Sequence, residues 1–173
     1  PRFKRNIYDS LKGILRLRVL QRDFAQWVDA RPQHWLDVGA GQGQFALILA
    51  GMGHRVTLVD VSEQMLAQAQ QAFAKAGLLG QAQFICCPLQ SMQEVAQLNG
   101  VLFDGVLCHA VMEWLQEPRE LLGYLTPFLA PSSWLSVIFY NIHGVIFKNL
   151  LRANYKKIKA GDIKAKKMGR NFA

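Results

Sequence analysis

Asp37, the glycines at positions 39, 41 and 43, and a second acid at Asp60 are the residues of this 173-residue chain whose types and spacing could do chemistry together. A glycine-rich turn between a strand and a helix lets backbone approach a ligand closely and opens the helix N-terminus toward it. An ordinary tight turn uses glycines too, so the turn alone decides little. Asp60 shifts the balance: it lies 21 residues after Gly39, at the end of the next apolar run, where an acid can accept two hydrogen bonds from ribose hydroxyls. Together these residues suit an adenosine-type ligand.

The elements that must position them follow from apolar periodicity. Leu11, Ile14, Leu15, Val19, Phe24, Trp27 and Val28 fall near helical spacing, with Arg16, Arg18 and Arg22 between them, so residues 11–28 read as an amphipathic helix ending before Pro32. His34 to Val38 reads as a buried strand, and Phe45 to Ala50 as a helix that Gly51 and Gly53 stop. Arg55 to Asp60 is a second strand, Ser62 an N-cap and Glu63 to Ala76 a helix. Gln83 to Cys87, Phe103 to Cys108 and Ser133 to Tyr140 supply three further strands, with a helix from Pro118 to Leu129. Five apolar strands alternating with helices imply a mostly parallel sheet with helices on both faces.

Composition fits one domain, since a chain of this length buries roughly two-thirds of its unfolded surface. No run of apolar residues is long enough to cross a membrane, and no cleavable leader begins the chain, so a soluble, cytoplasmic protein is expected. Cys86, Cys87 and Cys108 lack the spacing of a zinc site or a disulfide framework; buried reduced thiols and no metal are expected. The net charge of +8 is unevenly placed: residues 1–22 carry +6, residues 148–173 carry +8 and residues 23–147 carry −6. A polyanion at the two ends and a different ligand at the core would account for that.

The glycine spacing separates two ligand classes. A dinucleotide fingerprint beginning at Gly39 would need glycine where Gln44 stands. The tighter 39, 41, 43 spacing after Asp37 resembles the first motif of class I methyltransferases, whose cofactor is S-adenosyl-L-methionine and whose fold is Rossmann-like. By that resemblance Asp60 holds the ribose, Leu89 and Gln90 frame the adenine, and His109, closing the fourth strand, faces the methyl group. The Asn/Asp-Pro-Pro-Tyr/Phe motif of exocyclic-amine methyltransferases is absent after that strand, and Cys87-Pro88 has the wrong order and place for a pyrimidine C5 enzyme. An oxygen or another already nucleophilic atom is the expected acceptor.

Three stretches outside the cofactor turn carry a narrower resemblance: Phe3 to Tyr8 with Lys12 to Arg16, His109 to Trp114, and Phe139 to Gly144. They are similar to the tRNA 5-carboxymethoxyuridine methyltransferases, which esterify the wobble-uridine carboxymethoxy group. The resemblance implies that S-adenosylmethionine is held by Arg16, Gly39, Ala40, Asp60, Leu89, Gln90 and His109. Ala40 stands where that pattern has glycine, which requires a negative φ, and Pro88 precedes the adenine loop where a small residue is usual.

A carboxylate is ionised at pH 7 and attacks the sulfonium methyl directly, so no residue is assigned as a catalytic base. Arg5, Tyr8, Tyr140 and His143 are the candidates for positioning it. Lys148, Arg152, Lys156, Lys157, Lys159, Lys164, Lys166, Lys167 and Arg170 are candidates for the phosphates of the anticodon arm.

The expected organisation is a single methyltransferase domain over 1–173: a basic helical segment (1–30), a cofactor-binding core (33–144), and a basic helix and loop (145–173). The chain lacks an initiating Met and shows no sixth or seventh strand, so truncation is expected at both ends. Two other readings stay open. One is methylation of a small or carrier-bound acid or quinone; the other is an RNA-binding module of the same fold without turnover.

Overall fold

The computed structural model describes residues 11–28 and 30–161. Five strands, β1 (His34–Val38), β2 (Arg55–Asp60), β3 (Ala82–Cys86), β4 (Phe103–His109) and β5 (Leu129–Ile138), form one sheet in the order β3-β2-β1-β4-β5. Every pairing is parallel. The chain runs outward from β1 through β2 to β3, then crosses back to β4 on the other side of β1. That reversal leaves a crevice at the carboxyl ends of β1 and β4, where open parallel sheets bind ligands.

Because successive strand residues face opposite sides, the sheet supports two cores. Trp35, Val56, Leu58 and Leu107 pack on one side with Phe45, Leu49, Leu66 and Phe73. Those last four come from α2 (Gln44–Gly51) and α3 (Glu63–Lys75). Leu36, Val38, Val59, Val106 and Cys108 pack on the other side with Met92, Leu121, Leu125 and Phe128. Gly105 belongs to the first of these two packings, since a Cβ there would run into the Trp35 indole.

The first helix, α1 (Leu11–Trp27), lies on the α2 side. Its packed stripe is Leu17, Leu20, Phe24 and, just beyond its end, Val28, at intervals of three and four. Leu11, Ile14, Leu15 and Val19, expected on the apolar face, are instead exposed. Two stripes at helical spacing were available. The one used brings Phe24 against both Trp35 and Phe45, with ring centroids 5.4 and 4.7 Å apart.

Three other expectations are corrected. The helix expected over Pro118 to Leu129 is an α-helix only over Leu121–Leu125 (α4), flanked by 3-10 turns at Pro118–Glu120 and Thr126–Phe128. Pro127 has no N–H to donate and ends the α-helical ladder there. The fifth strand begins at Leu129 rather than Ser133, because its register shifts between the Phe103 and Gly105 positions of β4. Pro131 lies in that irregular stretch, where no regular ladder bond is lost. Finally, Cys86 is exposed and Cys87 half-buried; Cys108 alone is the buried thiol expected.

Beyond β5 the chain forms α5 (Ile142–Leu151) and α6 (Tyr155–Lys159), neither of which contains a buried residue. None of the described helices is long and apolar enough to cross a membrane.

Candidate active site

The glycine turn joins β1 to α2 through three residues in the left-handed region: Gly39, Gly41 and Gly43 have φ of 66, 56 and 64°. Ala40 is not among the positive-φ residues, so the condition for a side chain at that position is met. Gly39 is needed twice over. Its φ favours glycine, and a Cβ there would collide with Val111 from the segment after β4.

The amides of this turn are largely consumed within the protein. Gly39 and Ala40 both donate to Val59 O, at 2.8 and 3.1 Å, and Gly43 donates to Ala40 O at 2.9 Å. Gly41 N donates to Asp60 Oδ2 at 2.7 Å. A pyrophosphate needs free amides, whereas a ligand ammonium needs acceptors, and the amides of Gly39, Ala40, Gly41 and Gly43 are already engaged. The cradle therefore fits an amino-acid-bearing cofactor better than a dinucleotide.

Asp60 has a second task beside its expected ribose contact. Its Oδ1 accepts from Ser62 N at 2.8 Å, so one carboxylate ties the glycine turn to the start of α3. Each oxygen retains acceptor capacity for a ribose hydroxyl. Ser62 Oγ in turn caps α3 by accepting from Met65 N at 3.3 Å.

Under the turn lies Asp37, a fully buried carboxyl. Burial pushes its pKa up to about 7, and the nearby Asp60 charge adds to the rise. Two acids beneath one crevice favour a cation above them, as an ammonium and a sulfonium would be. The sequence marked Asp37 only as a companion of the glycines. Its neighbours in the strand, Trp35 and Leu36, are fully buried as well.

His109 ends β4 at the crevice. Its Nε2 lies 2.9 Å from Ser136 Oγ on β5, and its ring centroid is 5.9 Å from that of Phe45. Burial, reinforced by the Arg16 guanidinium, lowers its pKa to about 4, so the ring is neutral at pH 7. Arg16 reaches this position because Phe24 pins α1 to the sheet eight residues later, roughly 12 Å along the helix axis. Arg16 is half-buried and forms no ion pair with an acid among the described residues.

Two further segments close over the carboxyl ends of β4 and β5. Ala110 adopts φ of 59°, unusual for a residue with a side chain, and its amide donates to Ile138 O at 2.7 Å. Glu113 Oε1 then accepts from Tyr140 N at 2.6 Å. Asn141 Oδ1 caps α5 by accepting from His143 N at 2.9 Å. Tyr140 and His143 are both exposed.

At the end of β3, Leu89 and Gln90 begin a 3-10 turn, Leu89–Glu94; Leu89 is buried in the core and Gln90 is exposed. Pro88 precedes the turn in an extended conformation, with φ of −71°. Arg5 and Tyr8, with Lys164, Lys166, Lys167 and Arg170, lie outside the described residues. Among the described residues no three His, Cys, Asp or Glu side chains are grouped to hold a metal ion.

Val111, Glu113 and Phe45 are the residues at this site that sequence reasoning left without a role. Glu113 and Val111 stood inside the stretch His109 to Trp114. Nothing in their spacing revealed that they touch segments so far away in the chain.

Comparisons with known proteins agree with this geometry. A family model described as a methyltransferase domain matches residues 36–137. The tRNA 5-carboxymethoxyuridine methyltransferase of Escherichia coli K12 is 40% identical over 169 residues, covering 96% of this chain and 64% of that protein. The ubiquinone biosynthesis O-methyltransferase of Thiobacillus denitrificans is 28% identical over 114 residues, 64% of this chain and 47% of that protein. The chain thus spans less than two-thirds of these relatives.

Among solved structures, the PH0226 protein of Pyrococcus horikoshii superposes with a TM-score of 0.67 at 20% identity, over 89% of this chain and 71% of that one. The plantazolicin methyltransferase BpumL, solved with a triazolic desmethylPZN analogue and SAH, gives 0.66 at 21% identity, over 86% and 55% of the two chains. At these identities the likeness is one of fold.

Proposed function

Since the chain belongs to the methyltransferase domain family of class I, S-adenosylmethionine-dependent enzymes, we propose that it esterifies a carboxylate on transfer RNA. The acceptor is the 5-carboxymethoxy group of a wobble uridine and the product its methyl ester. One observation carries this reading: the 40% identity extends over 96% of the chain. It therefore reaches beyond the shared cofactor fold of residues 36–137 into the ends that carry Arg16 and the basic residues.

When bound, S-adenosylmethionine supplies an electrophilic methyl group on a sulfonium sulfur. Asp60 would accept from its ribose hydroxyls, the Gly39 and Ala40 backbone would approach its amino-acid end, and Leu89 and Gln90 would frame its adenine. Arg16, whose charge acts on neutral His109, would pair with the cofactor carboxylate. The acceptor carboxylate, ionised at pH 7, would take that methyl group directly, the sulfur–methyl electron pair staying with the departing sulfur. No proton moves, so the site needs alignment and exclusion of water rather than a base.

Tyr140 and His143 offer hydrogen bonds to the acceptor, and Arg5 and Tyr8 are the candidates for completing its clamp. Lys148 on α5, Arg152 at its C-terminal cap and Lys156, Lys157 and Lys159 on α6 are all exposed, which supports a role in neutralising phosphates of the anticodon arm. Lys164, Lys166, Lys167 and Arg170 continue that charge in the sequence.

Labelled S-adenosylmethionine incubated with tRNA carrying or lacking the carboxymethoxy group, followed by nucleoside analysis, tests the reading. Label should enter only the tRNA that carries the group. Equal labelling of both would exclude it. A second reading, methylation of a small acid or quinone, draws on the exposed apolar Phe147, Leu150 and Leu151 of α5, which would suit a carrier protein or lipid surface. Label in an added small acid and none in tRNA would favour that reading.

A further inference from the structure

The parallel ladder between β4 and β5 ends at the pair His109 and Ile138. Past it the two strands would be free to diverge, yet the segments that follow stay together through side chain and backbone. Ala110 N donates to Ile138 O at 2.7 Å, and Glu113 Oε1 accepts from Tyr140 N at 2.6 Å across 27 residues of chain. Between these two bonds Val111 rests against Gly39 of the cofactor turn. Asn141, next to Tyr140, caps α5 and fixes the start of the helix that holds His143.

A carboxylate at Glu113 is otherwise out of place. The proposed transfer requires no base, and a negative charge near an anionic acceptor repels it unless that charge is engaged. Here one oxygen is engaged by a backbone amide. We propose that Glu113 is a positioning residue for the acceptor. Its carboxylate joins the two segments that form the acceptor side of the crevice, holding Tyr140 and His143 in one frame with Val111 and hence with the cofactor turn. The inference rests on the proposed function for the acceptor's identity. The tie itself is independent of it.

Two variants test it. Glu113→Ala removes the acceptor oxygen, whereas Glu113→Gln keeps one that can receive the same amide. Hydrogen exchange at the Tyr140 amide, which needs no acceptor, should speed up in Glu113→Ala and stay near wild type in Glu113→Gln. KM for carboxymethoxyuridine tRNA should rise about tenfold in Glu113→Ala, the lower end of what a hydrogen bond to a charged group contributes. Cofactor Kd should move by less than about twofold, and Glu113→Gln should recover most of the loss in KM.

Unchanged Tyr140 exchange in Glu113→Ala would overturn the tie. Cofactor Kd weakening as much as KM rises would overturn positioning in favour of general disruption of the site. If the wild-type protein methylates a small acid instead of tRNA, the proposed function fails. Exchange then still tests the tie, and KM for that acid tests positioning.

Discussion

Asp37, which is buried, and His109, which is partly buried, titrate in opposite senses. Asp37, displaced upward from 3.8 to about 7, binds a proton in the folded state that the unfolded chain has already lost. Stability from this group therefore falls as pH rises between those values, by on the order of 4 kcal/mol at most. A cationic cofactor prefers the ionised form, so its affinity should increase as pH rises through about 7. Calorimetric titration on either side of that pH should show the increase for wild type and a weaker, flatter dependence for Asp37→Asn. His109, lowered to about 4, favours the neutral ring, so its stability contribution is complete above 6.5 and is lost as pH falls toward 4. Melting of Asp37→Asn across that interval should expose the His109 slope without the opposing one. Asp60→Ala should weaken cofactor binding by about 1 to 3 kcal/mol, measured by calorimetry, and lower Tm as well because the Gly41 and Ser62 amides lose their acceptor. The ribose role proposed for Asp60 rests on its spacing. The two amide bonds were not legible there, since they depend on how the turn folds back over β2.

At the scale of elements, turns and caps were the legible part. Ser62 was expected to cap α3 and does; Ser62→Ala should cost about 1 kcal/mol in chemical denaturation with little effect on cofactor Kd. Gly39→Ala should do more. The left-handed φ and the Val111 contact both oppose a side chain, so loss of cofactor binding is expected to accompany a stability loss of about 1 to 2 kcal/mol or more. Where element expectations failed, each failure had a local cause that pattern alone could not weigh. Pro127 broke a helix whose apolar spacing was otherwise sound. The β5 irregularity admitted Pro131 and lengthened the strand. In α1 two apolar stripes were possible, and the Trp35 and Phe45 rings selected the one containing Leu17, Leu20 and Phe24.

The whole molecule separates its charge, with an acidic middle and basic ends, and the basic residues of α5 and α6 stand exposed beyond β5. If they meet phosphates, tRNA affinity should fall steeply between about 50 and 200 mM salt, and Lys156→Ala with Lys157→Ala should reduce the slope of log K against log salt by about one per contact removed. Filter binding at several salt concentrations measures this, and a slope unchanged by the substitutions would remove these lysines from the interface. The sequence by itself determined the α/β class, the parallel order of its elements, the cofactor turn and the acid that partners it. Those depend on residues close in the chain, whose periodicity and spacing are local properties. Only the tertiary structure decided that Asp37 is buried beside a second acid, that Arg16 meets His109, that Val111 rests on Gly39, and that Glu113 joins Tyr140. Each of these pairs positions far apart in the chain that neighbouring elements of the fold bring together. Side chains acquire such neighbours, and the shifted proton affinities that follow, only when the strands are laid side by side.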